Sequence, residues 1–278
     1  MNDEIPRSSQ ARLAAEQALV RIVHHYGEKP EFVVLGGLVP DLLCAESAQH
    51  HAGTTDIDVQ VNLEIKCEAV NAVRLENALR NAEFEPDSEQ VWRWRVVTDE
   101  VRAEVKFELL ADWEDQPNEA TLVFDDCHRL GAVNLRGTRF ATQDVESRTL
   151  TAKVGDDQRS VEINVTGLAG FLLAKCAAAY SRRKPKDWYD IAFVLLHNDA
   201  GGPSEAAQAV IDRLGEDALK ASRTALAELA ANFTDPDDQG PKSYADQFLV
   251  DHPDQDRSQA KADAVAAVQE FCEALLDV

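Results

Sequence analysis

The sequence predicts an α+β protein in which a mixed β-sheet with flanking helices is followed by an α-helical C-terminal half. Residues 32–61 alternate between strand and helix patterns around a glycine pair, which is typical of a sheet with crossing helices. From Gly167 onward the apolar residues recur with helical spacing up to the C-terminus. We therefore expect two domains, one formed by residues 1–166 and one by residues 167–278.

The first strand is expected to end at a phosphate-binding turn. Residues 9–23 carry a helical apolar stripe, and residues 32–35 are a short apolar run that fits a buried strand. The run stops at Gly36 and Gly37, where the backbone can turn sharply or approach a ligand. Residues 38–44 then have helical spacing. A helix that begins just after two glycines offers free N–H groups to an anion.

Two carboxylates follow on the next predicted strand, residues 54–61. The period of two places Asp56 and Asp58 on one face, while Ile57, Val59 and Val61 point to the core. Neighbouring carboxylates repel each other, so such a pair beside a phosphate-binding turn suggests a bound cation. Mg²⁺ is favoured because its ligands are carboxylates, water and phosphate oxygens. The alternative is a tight glycine turn followed by the solvated face of an edge strand.

An amphipathic helix over residues 66–81 and an antiparallel strand pair are expected next. The strands are residues 91–97 and 101–110, joined at residues 98–100. The second strand has a core face and an opposite polar face, and the polar face comprises Arg102, Glu104, Lys106 and Glu108. This polar face either carries a functional carboxylate or is a solvent-facing surface whose Glu and Lys residues form weak cross-strand ion pairs. Residues 113–166 contain short apolar runs at 122–124 and 161–165, with turns at Gly137 and at residues 155–157, and indicate only sheet extensions or hairpins.

Residues 167–197 form the second informative stretch, with two predicted helices. Lys175 falls on the apolar stripe of the first helix, so it faces inward and requires a partner or an anion unless its side chain reaches out to solvent. Pro185 breaks the chain, Asp187 is placed to cap the second helix, and Asp190 follows three residues later. In the alternative interpretation both aspartates only complement the helix dipole.

The rest of the chain carries no catalytic signature. An alanine-rich helix pair is expected up to residue 233, an acidic loop over residues 234–241 and a last helix over residues 258–276. This part is expected to pack against the first domain or against a partner.

Composition limits the possible functions. The net charge of −22 favours solubility and disfavours non-specific binding to nucleic acid or to anionic membranes, so any nucleic-acid contact must be local. The five cysteines include no C-x-x-C pair, which fits a reducing cytoplasm better than a disulfide framework. The N-terminus lacks the features of a signal peptide, and no apolar run reaches the length of a membrane span.

The motifs together resemble a known family. Gly36-Gly37 followed by Thr54-Thr55-Asp56-Ile57-Asp58 resembles the polymerase-beta-like nucleotidyltransferases, and most of all their AbiEii/AbiGii toxin branch. The branch pattern of a helix lysine, a basic loop and basic-Asp-x-x-Asp is matched by Lys175, Arg182-Arg183 and residues 186–190. The resemblance covers residues 32–197. Branch members often carry arginine where this chain has Ala52. The adjacent His50 and His51 could bind metal together with the aspartates, but neighbouring side chains point apart on an extended chain, so a loop role is favoured.

The resemblance implies a nucleotidyltransferase-type sheet and a role for each motif. The nucleotide would be bound by Gly36, Gly37, Thr54, Thr55 and Lys175, and metal by Asp56, Asp58 and a third carboxylate. For that third ligand Glu108, in the run Phe-Glu-Leu, fits the family pattern best, and Glu104 competes with it. The catalytic residues would be Asp56, Asp58, Lys175 and Asp190, where Lys175 neutralises phosphate charge and Asp190 orients Lys175 or the acceptor, or acts as general base.

The expected function is a Mg²⁺-dependent transfer of a nucleoside monophosphate from an NTP to an acceptor, with one or two metal ions. By resemblance, the protein is the cytoplasmic toxin of a bacterial toxin–antitoxin or phage-defence pair, with a cognate antitoxin as a partner. The acceptor is expected to be RNA, such as tRNA, bound by Arg182, Arg183, Lys184 and Lys186, although these four could simply solvate a turn between helices. The competing functions are transfer to a cationic small molecule such as an aminoglycoside, and nucleotide binding without transfer.

Overall fold

The computed structural model describes residues 9–61, 71–98 and 103–276. The predicted start of the helix at residues 66–81 and most of the turn at residues 98–100 lie outside these ranges. The chain divides into two compact units. The first unit comprises Met1–Leu38 and Gly53–Thr166, and the second comprises Val39–Ala52 and Gly167–Val278.

The first unit contains one nine-stranded mixed sheet with helices beside it. Its strands are β1 (Val33–Leu35), β2 (Asp56–Gln60), β3 (Glu85–Pro86), β4 (Arg93–Thr98), β5 (Ala103–Ala111), β6 (Thr121–Val123), β7 (Gly131–Asn134), β8 (Val145–Val154) and β9 (Asp157–Thr166). Its α-helices are α1 (Ser9–Tyr26), α3 (Ala72–Asn81) and α4 (Phe140–Gln143). The second unit contains α2 (Val39–Leu43), α5 (Leu168–Arg182), α6 (Pro185–His197), α7 (Pro203–Ala231), α8 (Gln239–Asp251) and α9 (Arg257–Leu276).

The strand order of the sheet is β3-β4-β5-β2-β1-β9-β8, with β7 paired to β5 and β6 paired to β7. Strand β1 is antiparallel to β2 and parallel to β9, and β2 is parallel to β5, so the predicted mixed sheet is confirmed. The predicted core faces are correct, because Ile57 and Val59 on β2 and Val105, Phe107 and Leu109 on β5 are fully buried. The polar residues of β2 and β5 therefore lie on the opposite face of the sheet.

Burial explains the position of helix α1, and a side-chain cap explains where helix α3 begins. Helix α1 packs against α3 and the β8–β9 hairpin, and it buries Ala14, Leu19 and Ile22 completely. Helix α3 begins where the Asn71 side chain accepts a hydrogen bond from the backbone N–H of Arg74 at 2.9 Å. The predicted helix at residues 9–23 is confirmed and extends to Tyr26.

Strands β8 and β9, of ten residues each, form a hairpin that continues beyond the pairing with β1. Only Asn164 and Val165 of β9 pair with β1, and the tip residues 151–160 are exposed or half-exposed. Most side chains of this ribbon are not buried, so the ribbon lacks the apolar face by which a strand is recognised in the sequence. This is one reason why residues 113–166 indicated only sheet extensions or hairpins.

The second unit is helical, as expected for the C-terminal half. Helix α7 contains a break at Gly215, with φ of +71°, which divides it into the predicted helix pair. The loop predicted over residues 234–241 is too long, because α8 already begins at Gln239 and buries Tyr244 and Phe248. None of the described helices is long and apolar enough to cross a lipid bilayer.

Candidate functional site

The glycine turn after β1 lies directly against Asp58. The backbone of Gly36 has φ of +77°, and a Cβ atom added there would lie 2.0 Å from Asp58 Oδ2. Leu35 and Asp58 are register partners in the β1–β2 pair, which fixes this approach. Gly36 is therefore required both by its backbone conformation and by the space that the Asp58 carboxylate occupies.

Gly37 is required by a second close contact, with Thr54. A Cβ atom on Gly37 would lie 2.9 Å from Thr54 Cβ and Cγ2. Thr54 is buried, and its Oγ1 accepts a hydrogen bond from the backbone N–H of Asp56 at 3.0 Å. The backbone carbonyl of Thr55 accepts from the N–H of Lys106 at 2.9 Å. These contacts join the glycine turn, the threonine loop and the start of β2 into one rigid corner.

Three carboxylates share the polar face of β2 and β5. Asp56 and Asp58 are half-buried and alternate with the buried Ile57 and Val59. In the parallel register Asp58 lies opposite Glu108, and Asp56 lies opposite Lys106. Glu104 lies two residues before Lys106 and has no register partner on β2. The register thus places Glu108, rather than Glu104, beside the aspartate pair.

Cationic side chains lie beside Asp56 and Glu108. Lys106 Nζ lies 3.7 Å from Asp56 Oδ1. Arg93 on β4 donates from Nε to Glu108 Oε1 at 2.6 Å, and its NH2 group lies 2.5 Å from the same oxygen. Glu108 is thus turned towards Arg93 in this structure. Glu104 has a longer contact with Arg95, at 3.7 Å.

The aspartate pair has suitable chemistry for a hard divalent cation. Among the described residues, no group of three His, Cys, Asp or Glu side chains is arranged as a metal site. Mg²⁺ is commonly held by one or two carboxylates, with water and phosphate oxygens completing its octahedron. Asp56 and Asp58 supply that number of ligands from one strand face beside the glycine turn. Glu108 would have to exchange Arg93 for the metal to become a third ligand.

The helix after the glycine turn is shorter than predicted. Residues Gly36–Leu38 form one 3-10 turn, and α2 covers only five residues instead of residues 38–44. A short helix has a weak dipole at its N-terminus. The expected phosphate contact would therefore depend on the backbone of the glycine turn and not on a long helix.

In the second unit, Lys175 faces inward as the sequence predicts. Its Nζ donates to Asp190 Oδ2 at 2.6 Å and lies 3.5 Å from Asp187 Oδ1, while only 9% of its side chain is exposed. Both aspartates are fully buried. A lysine has three N–H donors, and these two contacts use at most two of them. The interpretation in which Lys175 reaches out to solvent is wrong.

Asp187 does not cap α6, contrary to the prediction. The N-cap residue is Lys184, and the Asp187 side chain turns inward and accepts two hydrogen bonds from Arg182, at 2.6 and 2.7 Å. Burial raises the pKa of Asp187, but the charge of Lys175 and the hydrogen bonds from Arg182 outweigh it, so the pKa is lower than usual. Asp187 therefore stays ionised and balances two cations.

The basic loop is only partly available to a ligand. Arg182 is engaged with Asp187, and Arg183 NH2 donates to Glu228 at 2.8 Å. Lys184 is exposed and Lys186 is half-buried. Arg183 has a left-handed backbone, with φ of +50°, because it ends α5 just before Pro185 starts α6.

His51 is a member of the Lys175 cluster that the sequence did not reveal. His50 is exposed beside Asp41, whereas the His51 side chain is fully buried and its Nε2 lies 3.0 Å from Asp190 Oδ1. The two histidines thus diverge, as an extended loop requires. No periodicity or spacing in the sequence connects residue 51 with residue 190, so only the fold could identify this contact.

Comparison with known protein families matches residues 133–274 to the family described as "Nucleotidyl transferase AbiEii toxin, Type IV TA system". This match covers just over half of the 278 residues. The chain belongs to the AbiEii family. No curated protein and no solved structure gives a significant match.

Membership in the AbiEii family makes the protein a nucleotidyltransferase toxin of a type IV toxin–antitoxin system, with a cognate antitoxin as its partner. The resemblance inferred from the sequence motifs is thereby confirmed. The AbiEii match includes Lys175, Asp187, Asp190 and the basic loop, but it does not include the glycine turn or the carboxylates of β2 and β5. The roles of those residues therefore depend on geometry and chemistry alone.

Proposed function

We propose that this AbiEii family member transfers a nucleoside monophosphate from an NTP to a hydroxyl group of RNA, with Mg²⁺ bound at Asp56 and Asp58. The observation that carries the proposal is the close approach of the glycine turn to Asp58, with no room for a Cβ atom between them. Such a corner places backbone N–H groups and carboxylates side by side, which is what a metal-bound triphosphate requires.

In this reaction the acceptor hydroxyl oxygen attacks the α-phosphorus and its proton passes to solvent, while the bond from that phosphorus to the oxygen bridging to the β-phosphorus breaks and pyrophosphate leaves. Bound Mg²⁺ supplies charge neutralisation for the phosphates and for the leaving group. The chain itself contributes mainly positioning and electrostatics. Gly36, Gly37 and Thr55 would position the triphosphate, while the hydroxyl of Thr54 holds the start of β2 in place.

Lys175 would give its remaining N–H to a phosphate oxygen. Its contacts with Asp190 and Asp187 hold the ammonium at a nearly buried position in the second unit. Asp190 is fully buried, and one of its oxygens is engaged with Lys175 and the other with His51. This arrangement favours a role for Asp190 in orienting Lys175. It is less suited to a general base, which would have to reach the acceptor.

RNA is the proposed acceptor because the basic loop lies within the helical unit that carries Lys175. Arg183, Lys184 and Lys186 would contact phosphates there, and Arg182 would support the loop through its bonds to Asp187. A local cluster of this kind is needed in a chain with a net charge of −22.

The proposal is tested by incubating the purified protein with Mg²⁺, each α-labelled NTP, total RNA and a panel of aminoglycosides. We expect label on RNA, and we expect Asp56→Ala and Asp58→Ala each to abolish it without unfolding the protein. The pair of Asp56 and Lys106 is half-exposed, so its loss should cost no more than about 1 kcal/mol. Asp157→Ala, which removes an exposed carboxylate from the β8–β9 ribbon, is the matched control.

Label on the aminoglycosides would assign a small-molecule transferase instead, and bound nucleotide without transfer would assign a binding module. Full transfer by both aspartate variants would show that the metal site is elsewhere.

A further inference from the structure

His51 lies in the stretch of chain between α2 and β2, yet its ring is enclosed by α6. The ring stacks on Tyr189 with centroids 4.9 Å apart and meets Phe193 edge-on at 5.0 Å. Its side chain has no exposed surface. Since substrate cannot reach a fully enclosed ring, any part that His51 plays in the reaction is exerted through a neighbouring residue.

That neighbour is Asp190. A carboxylate only accepts hydrogen bonds, so His51 Nε2 carries the hydrogen in its 3.0 Å bond to Asp190 Oδ1. The other oxygen, Oδ2, accepts from Lys175 Nζ at 2.6 Å. Asp190 is therefore held at both ends, and a rotation that released Oδ1 from His51 would also move the oxygen that positions Lys175.

Hydrogen bonds also hold the backbone around His51 within the second unit. The N–H of Ala52 donates to the hydroxyl oxygen of Tyr189 at 2.9 Å, and the N–H of His51 donates to Asp41 at 3.3 Å. Asp199, just beyond α6, accepts from the N–H groups of Ala45 and Glu46 at 3.1 and 2.9 Å. Several independent bonds thus define the position of the imidazole relative to α6.

We infer that His51 is a positioning residue of the transfer reaction, which aligns Asp190 so that Lys175 is held ready for a phosphate oxygen. This inference rests on the proposed function, in which Lys175 contacts the triphosphate. The Nε2–H donor of His51 is needed for this role, and the packing of its ring alone does not suffice.

The variants His51→Phe and His51→Gln distinguish the hydrogen bond that His51 donates from the packing of its ring. Phenylalanine keeps an aromatic ring against Tyr189 and Phe193 but donates no hydrogen bond, whereas glutamine offers an N–H near the position of Nε2. We expect His51→Phe to lower kcat by about 10- to 100-fold with little change in the KM for NTP, as for outer-shell residues that orient a ligand. His51→Gln should stay within about threefold of the wild type, a change too small for loss of a positioning bond.

A second measurement does not depend on activity. Reductive methylation of Lys175 by formaldehyde, followed by peptide mass spectrometry, reports how firmly its amine is held. We expect faster labelling in His51→Phe and wild-type labelling in His51→Gln. Tyr189→Phe is the matched control, because it removes a different buried hydrogen bond between the same loop and the same helix. Since it leaves the direct bond from His51 to Asp190 in place, its labelling should rise much less than that of His51→Phe.

The outcomes are distinct. Unchanged Lys175 labelling in His51→Phe would overturn the assignment, because the His51 bond would then not hold the lysine. Equal acceleration of labelling in Tyr189→Phe would also overturn it, because any lost bond between the loop and α6 would then expose Lys175. If His51→Phe fails to fold, His51→Met supplies the second variant without a donor. Absence of transfer by the wild type with every acceptor would refute the proposed function alone, while the labelling would still decide whether His51 holds the Asp190–Lys175 pair.

Discussion

A methyl group added at Gly36 would collide with the carboxylate of Asp58. Substitution of this one residue therefore tests whether the contact between the glycine turn and Asp58 is needed for transfer. Gly36→Ala should lose about 1–2 kcal/mol of stability from its left-handed backbone. Asp58 must also rotate away, and displacement of a reacting group by about 1 Å can cost about 100-fold in rate. We expect nearly complete loss of transfer from a protein that is still folded, measured by urea denaturation and labelling of RNA.

Gly155 provides the control for that substitution. It also has a positive φ, +62°, but a Cβ atom there would meet nothing within 4 Å. Gly155→Ala should therefore show a similar loss of stability with full activity. Equal activity in the two alanine variants would contradict the role given to the Gly36–Asp58 contact.

The third carboxylate can also be tested at this scale. Glu108→Gln should reduce transfer more than Glu104→Gln, because only Glu108 lies in register with Asp58. Loss of a metal ligand should cost at least the roughly 10- to 100-fold that outer-shell partners contribute. Transfer rates across a Mg²⁺ titration provide the measurement, and the Glu108 variant should need more Mg²⁺.

Arg93→Gln separates metal binding from the ion pair, because it removes the partner of Glu108 and leaves the carboxylate. It should retain transfer. If the two glutamate variants rank equally or in reverse, Glu108 is not the third ligand, and no loss from either would indicate a site of two carboxylates.

The sequence predicted the faces of residues but not their partners. The period of two placed Asp56, Asp58, Glu104 and Glu108 on polar faces, and the helical stripe placed Lys175 inside. The contacts of Glu108 with Arg93, and of Asp190 with His51, join residues that are 15 and 139 positions apart. Such pairings depend on strand register and on the path of a loop, which periodicity does not encode.

At the scale of an element, the turn between α5 and α6 tests the proposed contact with RNA. Lys184→Gln combined with Lys186→Gln should weaken RNA binding and reduce the salt slope by about two units, one for each lost phosphate contact. NTP affinity should hardly change. Affinity measured across a salt series gives the slope, and an unchanged slope would place the RNA on another surface.

Arg182→Gln is the informative comparison for this turn. It removes both hydrogen bonds that Arg182 makes to the buried Asp187, which should cost about 1–3 kcal/mol of stability. We expect its melting temperature to fall by more than that of the double lysine variant.

Elements with one buried face were predicted well, and elements without one were not. Helices α5 and α6 and strands β2 and β5 each have a continuous apolar stripe. The β8–β9 ribbon is largely exposed, so most of its positions do not form a buried face. Helix α8 was missed because its first turn contains Gly240 and Pro241, which also mark loops.

For the whole molecule, the division of the chain predicts how fragments behave. Val39–Ala52 belongs to the second unit, where Val39 and Leu43 are buried. Residues 167–278 alone should therefore be less stable than a fusion in which residues 39–52 are attached through a long Gly-Ser linker. Each buried Val or Leu contributes about 1.5–3 kcal/mol, so the difference should be several kcal/mol by urea denaturation.

A fusion that carries Leu43→Asp is the matched control, since it has the same length but cannot bury that side chain. It should behave like the fragment of residues 167–278. If the unmodified fusion gains no stability over that fragment, residues 39–52 are not an integral part of the second unit.

The same division constrains how genes of this family can be recombined. A crossover at codons 166 and 167 would join the helical half of one parent to residues 39–52 of the other. The chimera would then have to match His51 and the backbone of residues 45 and 52 from one ancestor with Tyr189, Asp190 and Asp199 from another. Because these residues depend on each other but are encoded far apart, the helical half is not a module that can be inherited by itself.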